Sequence, residues 1–378
     1  MTRIRLGMVG GGNDAFIGGV HRIASRIDDR FELVAGALSS TPEKSAASAD
    51  ALGIRRSYGS FEEMALAEAA RGDGIEAVSI VTPNHVHAAA AKAFLAQGIH
   101  VICDKPLTAT MAEATALEKA VSGAHALFIL THNYTGYPMI RQAREMVRTG
   151  ALGKLRIVQA EYPQDWLTSP MEKEGLKQAE WRTDPSRSGA GGSIGDIGTH
   201  AHNLACFVSG LQVESLAADL HCFGAGRTLD DNAHVMLRFA EGAKGLLWSS
   251  QVAPGNENAL KLRIYGDKGG LEWSQEDPNY LWFTPHGEPK RLLTRNGAGA
   301  IEASQAVSRI PGGHPEGYLE GFATIYTEAA DAIRAVQSGA KISAAMGNLP
   351  GIEAGMDGMR FINACVTSSK NNAAWTKL

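Results

Sequence analysis

The chain has 378 residues, 44% hydrophobic and 20% charged, which is enough for two domains with sizeable cores and excludes wholesale disorder. Lys and Arg number 36 against 40 Asp and Glu, a net charge of −4, so the basic excess of a dedicated nucleic-acid binder is missing. The four cysteines, Cys103, Cys206, Cys222 and Cys365, lie far apart with no Cys-x-x-Cys pair, which argues against a zinc ribbon or a disulfide framework.

Residues 4–9 form a short apolar strand pattern, followed by a Gly-rich turn and an apolar-periodic segment whose helix is expected from about Gly18. Strands are expected at 31–38, 77–81, 100–103 and 127–131, and helices at 43–52, 61–70, 85–97 and 111–121. Such alternation implies βαβ units and a parallel sheet. After about residue 150 the pattern changes. Strand-like runs at 155–162, 213–223, 234–239, 245–251, 260–265, 270–273 and 280–283 follow one another with short turns, around one helix at 196–208. Successive strands of this kind suggest a mostly antiparallel sheet. Helices at 318–336 and 348–366 close the chain. Apolar runs such as 126–130 are too short to span a bilayer, and 6–9 is too short for a secretory segment, so a cytoplasmic location is expected with no membrane partner.

Five places carry chemistry. Gly10-Gly11-Gly12-Asn13-Asp14-Ala15 satisfies G-x-G-x-x-A in the first βα turn, where glycines let the backbone approach a pyrophosphate at a helix N-terminus. A helix starting at Gly18 lengthens that loop and places Phe16 and Ile17 near a dinucleotide. The second strand ends in Ser39-Ser40-Thr41 without an acid for a ribose diol. Those hydroxyls either accept a 2′-phosphate or cap the next helix, which leaves NAD or NADP open. Thr82-Pro83-Asn84-His85-Val86-His87 and Cys103-Asp104-Lys105-Pro106 each follow a strand, at the carboxyl edge where open α/β sheets bind ligands. Asn84 serves a cofactor or starts a helix, and His85 with His87 lack the acidic or thiolate partners of a metal site. Lys105 can set an ammonium against a substrate oxygen, or be a surface Lys before a turn.

The fifth place is 189–200, where glycines surround a helix start and Asp196 and His200, four apart, share one helix face. Breaches of local preference concentrate at functional sites. Histidine suits proton transfer near neutral pH, with an acid one turn away to orient it. Zinc ligation by Asp196, His200 and His202 is disfavoured, because His200 and His202 face different ways; the expected metal is none.

Together the Gly-rich turn, Thr82-Pro83-Asn84-x-x-His87, Asp104-Lys105-Pro106, Trp181-Arg182 and Gly191-Gly192 through Asp196-x-x-x-His200 resemble the Gfo/Idh/MocA oxidoreductases, the glucose–fructose oxidoreductase and inositol dehydrogenase family. The resemblance covers nearly the whole chain. It implies an N-terminal Rossmann domain, a doubly wound parallel sheet over residues 1–132. It also implies a C-terminal α+β domain over 133–378 with an open, mostly antiparallel sheet, whose last helix returns to the first domain. It further implies a homodimer or homotetramer and NAD(P)-dependent oxidation of a secondary alcohol of a sugar or cyclitol. In that comparison Lys105, Asp196 and His200 match the catalytic set. Thr82, Pro83, Asn84, His87, Asp104, Trp181 and Arg182 join Gly10, Gly12, Asn13, Ala15, Ser39 and Ser40 around the cofactor. Tyr134 and His314 are expected at the substrate, the latter because His314-Pro315-Glu316-Gly317-Tyr318 resembles a segment of sugar-oxidising members. The chain departs from the family pattern in Asp104 for Glu, Thr135 for Arg and Asn203 for Asp. Relatives that act as NAD-dependent glycosidases, by transient oxidation and elimination, are the alternative, and non-catalytic binding proteins of the fold a more distant one.

Overall fold

A computed structural model describes residues 2–13, 15–175 and 177–378, so Asp14 of the Gly-rich turn lies outside the described residues. The chain divides into two units, Met1–Asn133 with Leu319–Met356, and Tyr134–Tyr318 with Asp357–Leu378. The sequence reading sends the last helix back to the first domain; instead the helix Tyr318–Gln337 lies almost wholly in the first unit, and most of the last helix, Ile352–Lys370, lies in the second.

In the first unit six strands are ordered β3-β2-β1-β4-β5-β6, all parallel. They are β1 (Ile4–Gly10), β2 (Phe31–Ala37), β3 (Arg56–Ser57), β4 (Ala77–Val81), β5 (His100–Cys103) and β6 (Phe128–Leu130). This is a doubly wound order, and the direction of crossing reverses between β1 and β4. All side chains of β4 and β5 are buried, as expected for strands covered on both faces. The helix Tyr318–Gln337 belongs here because of what it buries. Its Tyr326 ring meets Phe31 edge-on at 5.4 Å. The Tyr326 hydroxyl lies 2.8 Å from His21 Nδ1 and 2.9 Å from Ser79 Oγ. His21 comes from the helix Phe16–Ile27 and Ser79 from β4, so one polar trio ties three elements together.

The second unit holds nine strands: β7 (Leu155–Pro163), β8 (Val213–His221), β9 (Asn232–Phe239), β10 (Lys244–Ser250), β11 (Lys261–Gly266), β12 (Gly269–Ser274), β13 (Tyr280–Pro285), β14 (Arg291–Thr294) and β15 (Thr376–Lys377). Their order is β14-β13-β12-β11-β7-β10-β9-β8-β15, and every pair is antiparallel except β7 with β10. The helix Thr199–Ser209 lies against β7, β10 and β11. The opposite face stays exposed in alternation, as the period of two in β9 shows. The four cysteines form no disulfide. Among the described residues no helix is long and apolar enough to cross a membrane.

Candidate active site

In the first unit the expected cofactor residues follow the carboxyl ends of β1, β2, β4 and β5. Gly10 and Gly11 have φ of +76° and +71°, which glycine adopts without strain. A Cβ on Gly18 would stand 2.4 Å from Gly11 Cα, and one on Gly12 would stand 2.9 Å from Ser48 Oγ and 3.0 Å from the Leu38 carbonyl oxygen. The helix after the turn begins at Phe16, not Gly18. The Gly11–Gly18 approach draws its first turn directly against the loop, so the extra residues expected from sequence are helical. Ala15 takes the N-cap position, Phe16 is 62% exposed, and Ile17 packs against the core group of Met8, Leu38 and Val81. The Asn13 N–H points at Ser48 Oγ, 3.5 Å away.

Ser39 Oγ accepts from the Thr41 N–H at 3.4 Å, and Ser40 is exposed. Thr41 precedes the helix Pro42–Leu52 without a side-chain cap bond. Pro83 occupies the cap position of the helix Asn84–Leu95, whose first residue Asn84 is buried. Thr82 Oγ1 is buried without a partner. A positive-φ glycine turn and this unpartnered hydroxyl stand at the ends of the two adjacent strands of the reversal, and they fit a dinucleotide there. His87 is buried behind the edge. Its Nδ1 lies 2.9 Å from the Pro106 carbonyl and its Nε2 2.9 Å from the Thr82 carbonyl. It therefore braces the two loops from inside. Asp104 Oδ1 accepts from the Lys105 N–H at 3.0 Å and from Thr131 Oγ1 at 2.9 Å, which fixes the loop carrying Lys105.

The Gly11–Gly18 approach gives a direct test. Gly18→Ala should weaken NADH binding at least tenfold in a fluorescence titration, because the added methyl must push the turn outward. Unchanged affinity would show that the turn does not hold the dinucleotide.

In the second unit Asp196 and His200 lie on one continuous helical run, but not on one α-helix. Residues Ile194–Gly198 form a π-helical turn that passes into the α-helix Thr199–Ser209. Such turns are rare and concentrate at functional sites. Asp196 Oδ2 accepts from Arg182 Nε at 3.1 Å and from Gln251 Nε2 at 2.9 Å. Arg182 in turn lies 4.3 Å over the Trp181 ring. His200, 8% exposed, meets the Tyr134 ring edge-on at 4.9 Å and the Tyr162 ring at 6.2 Å. Tyr134 Oη and Tyr162 Oη are 2.5 Å apart, and Tyr162 donates to Asn258 Oδ1 at 2.7 Å. Burial pushes Tyr134 up to about 12 and Tyr162 well above its usual range, so both remain neutral phenols at physiological pH.

His202 turns away from this group. It stacks on Phe361 at 4.3 Å and lies 3.6 Å from Cys206 Sγ. Among the described residues no three His, Cys, Asp or Glu side chains gather as a metal-binding group. His314 is exposed on a loop held from below by a buried Arg295–Glu316 ion pair of 2.7 Å, and Arg295 Nη2 donates to the His314 carbonyl at 2.6 Å. Tyr162, Gln251, Asn258 and the Arg295–Glu316 pair were not read from sequence. Each stands in or beside a strand or turn that looks ordinary locally, and only tertiary pairing brings it to the Asp196–His200 group or the His314 loop.

Comparison with known proteins adds an independent line. Residues 4–132 match the family described as "Oxidoreductase family, NAD-binding Rossmann fold", and 140–272 match the "GFO/IDH/MocA C-terminal domain". The chain is similar to an oxidoreductase of Sinorhizobium meliloti of known structure, with 62% identity, TM-score 0.90 and complete coverage of both chains. It is also similar to an inositol dehydrogenase homolog of Azotobacter vinelandii, solved with NADH and myo-inositol: 34% identity, TM-score 0.92, covering 100% of this chain and 98% of that one. The levoglucosan dehydrogenase of Pseudarthrobacter phenanthrenivorans is 28% identical over 73% of this chain and 75% of its own length.

Proposed function

Because the chain belongs to the Gfo/Idh/MocA oxidoreductases, an NAD-binding Rossmann family, we propose that it moves a hydride between nicotinamide, of NAD or NADP, and a secondary alcohol carbon of a sugar, sugar derivative or inositol. The bound dinucleotide supplies the hydride acceptor; the protein supplies orientation and proton handling. His200 takes the proton of the reacting hydroxyl. Lys105 contributes an ammonium that favours the alkoxide form. Asp196 accepts a hydrogen bond from the substrate and thereby orients it. Gly10, Gly12, Asn13, Ala15, Thr82 and Asn84 hold the dinucleotide, and Ser39 and Ser40 meet its ribose. Tyr134 and His314 contact the substrate. The observation that carries the reading is the Asp196–His200 pair on one helical run, with the carboxylate held by Arg182 and Gln251. The substrate class follows the two relatives named for an inositol and an anhydrosugar.

The test is a screen of sugars, sugar acids, anhydrosugars and inositols with NAD⁺ and NADP⁺, followed by the absorbance of reduced nicotinamide. Turnover of a polyol with either cofactor is expected. No turnover with any would overturn the reading, and aglycone release from a glycoside without net reduced nicotinamide would point to the redox glycosidase.

The same reading gives a homodimer or homotetramer built through the exposed sheet face. One cross-strand row there runs Leu292, Trp282, Glu272, Arg263, Gln159, Leu246, Met236, with Leu246 51% and Met236 49% exposed. The exposed apolar side chains at both ends of the row support an interface on this face. Sedimentation of the parent should show an oligomer, and Leu246→Lys should lower its mass. A monomeric parent would refute this assembly.

A further inference from the structure

The helical run that carries Asp196 and His200 starts in an unusual way. Its first three N–H groups all go to one residue far along the chain. Gly192 N–H donates to Asp230 Oδ1 at 2.7 Å, Ile194 N–H to Asp230 Oδ2 at 2.8 Å, and Ser193 N–H to the Asp230 backbone carbonyl at 2.7 Å. Side chain and main chain of Asp230 thus clasp three consecutive donors that a helix start leaves without intrahelical partners. The fit excludes a side chain on the facing residue: a Cβ on Gly192 would stand 2.0 Å from the Asp230 carbonyl oxygen. The Gly192 carbonyl then accepts from Gly195 and from Asp196, at 3.1 and 2.9 Å, and the π turn follows.

We propose that Asp230 is a positioning residue: by fixing where the run begins it holds the π register that sets Asp196 relative to His200. Each residue of an α-helix turns 100°. Release of the clasp lets the glycine-rich start settle into α geometry, which rotates Asp196 away from its partners Arg182 and Gln251. Asp230 touches none of the reacting groups assigned above, so its effect passes through Asp196 and His200. The proposal rests on the roles given to those two residues.

The carboxylate is a costly choice for a purely structural clasp. Burial pushes Asp230 up to about 6, against the pull of the Ile194 and Gly192 N–H groups. Asp231, the next residue, adds to the rise, and Asp230 in turn raises the thiols of Cys222 and Cys365. Backbone N–H donors, those of Ile194 and Gly192 foremost, favour the ionised form.

The test compares parent, Asp230→Asn and Gly192→Ala. Asp230→Asn keeps the shape but turns an amide NH₂ toward one of the two N–H groups. Gly192→Ala forces the clasp open from the other side. Three readouts are taken: kcat and KM with the fastest polyol of the screen, NADH affinity by fluorescence titration, and hydrogen exchange of the peptide 190–203. A misplacement of about 1 Å costs about 10²-fold, so kcat should fall roughly 10- to 100-fold, with NADH affinity within twofold of the parent. Exchange should quicken in 190–203 and not elsewhere. A kcat within twofold of the parent in both variants would overturn the proposal. So would a loss of kcat that accompanies faster exchange throughout and weaker NADH binding. If the parent turns over no polyol, the functional reading fails by itself; the exchange pattern then decides the clasp, and unchanged exchange in 190–203 refutes it.

Discussion

His200→Ala should lower kcat by roughly 10²–10⁴-fold, the usual loss for a positioned general base, while NADH affinity stays near that of the parent. The imidazole is bracketed by Tyr134 and Tyr162, and both phenols are held neutral, so neither offers an alternative base near pH 7. Lys105→Ala should also lower kcat, and the double variant should lose less than the product of the two factors if both act on one proton-transfer step. His202→Ala is the control. It removes a ring stacked on Phe361, so it should destabilise the protein by roughly 2–4 kcal/mol, as large-to-small core changes do, yet leave kcat nearly intact in the folded fraction. Steady-state kinetics with thermal melts separates the two. Near-parent kcat in His200→Ala, with activity lost in His202→Ala, would reverse the assignment.

Stability should fall steeply as pH drops from about 6.5 towards 4. Burial holds His21, His100 and His202 at about 4 instead of 6.5. The folded protein therefore keeps these rings neutral while the unfolded chain takes up protons below 6.5. Their contribution is complete above about 6.5 and is lost as pH falls through about 4. One unit corresponds to 1.36 kcal/mol, so each ring loses roughly 2 kcal/mol by pH 5, on the order of 6 kcal/mol together. Asp230 acts in the opposite sense. Its folded value lies above the unfolded one, so it returns about 1 kcal/mol over the same range. Urea melts at pH 7.5 and pH 5 measure the difference, and His202→Phe should remove about a third of it. A flat profile would show that these rings are protonated in the folded state.

The first unit was largely legible. Strands that alternate with helices, and a glycine turn after the first of them, are local patterns, and five of the six strands of the parallel sheet read as apolar runs; the two-residue edge strand Arg56–Ser57 has no such signal. The same holds for most strands of the second sheet. What escaped the sequence has a common physical cause. The helix Pro138–Arg148 is not legible because part of its buried face is polar. Arg141 donates to the Thr135 carbonyl at 2.5 Å, Gln142 bridges Gly299 and Ile301, and the Arg144 guanidinium lies 4.1 Å over the Phe207 ring. Periodicity detects apolar burial, not satisfied polar burial. The π turn is likewise invisible locally. Read as plain α, 196–208 puts Asp196 and His200 on one face by spacing alone; the actual start is set by Asp230, 38 positions from Gly192.

The split make-up of the first unit governs how it is born. Its six strands are complete by residue 130, but Tyr326, which seals His21 and Ser79 beneath the helix Tyr318–Gln337, is synthesised only after the whole stretch 134–318. At ~5–20 residues per second, the nascent sheet waits roughly 10–40 s with that helix missing. During this interval the apolar ring of Phe31 and the imidazole of His21 lack their cover. A shortened product ending near residue 133 carries the same defect permanently. Such a product should expose Phe31 and His21 and aggregate on purification, whereas one that carries 319–356 along with the first 133 residues should stay in solution, as size-exclusion chromatography would show.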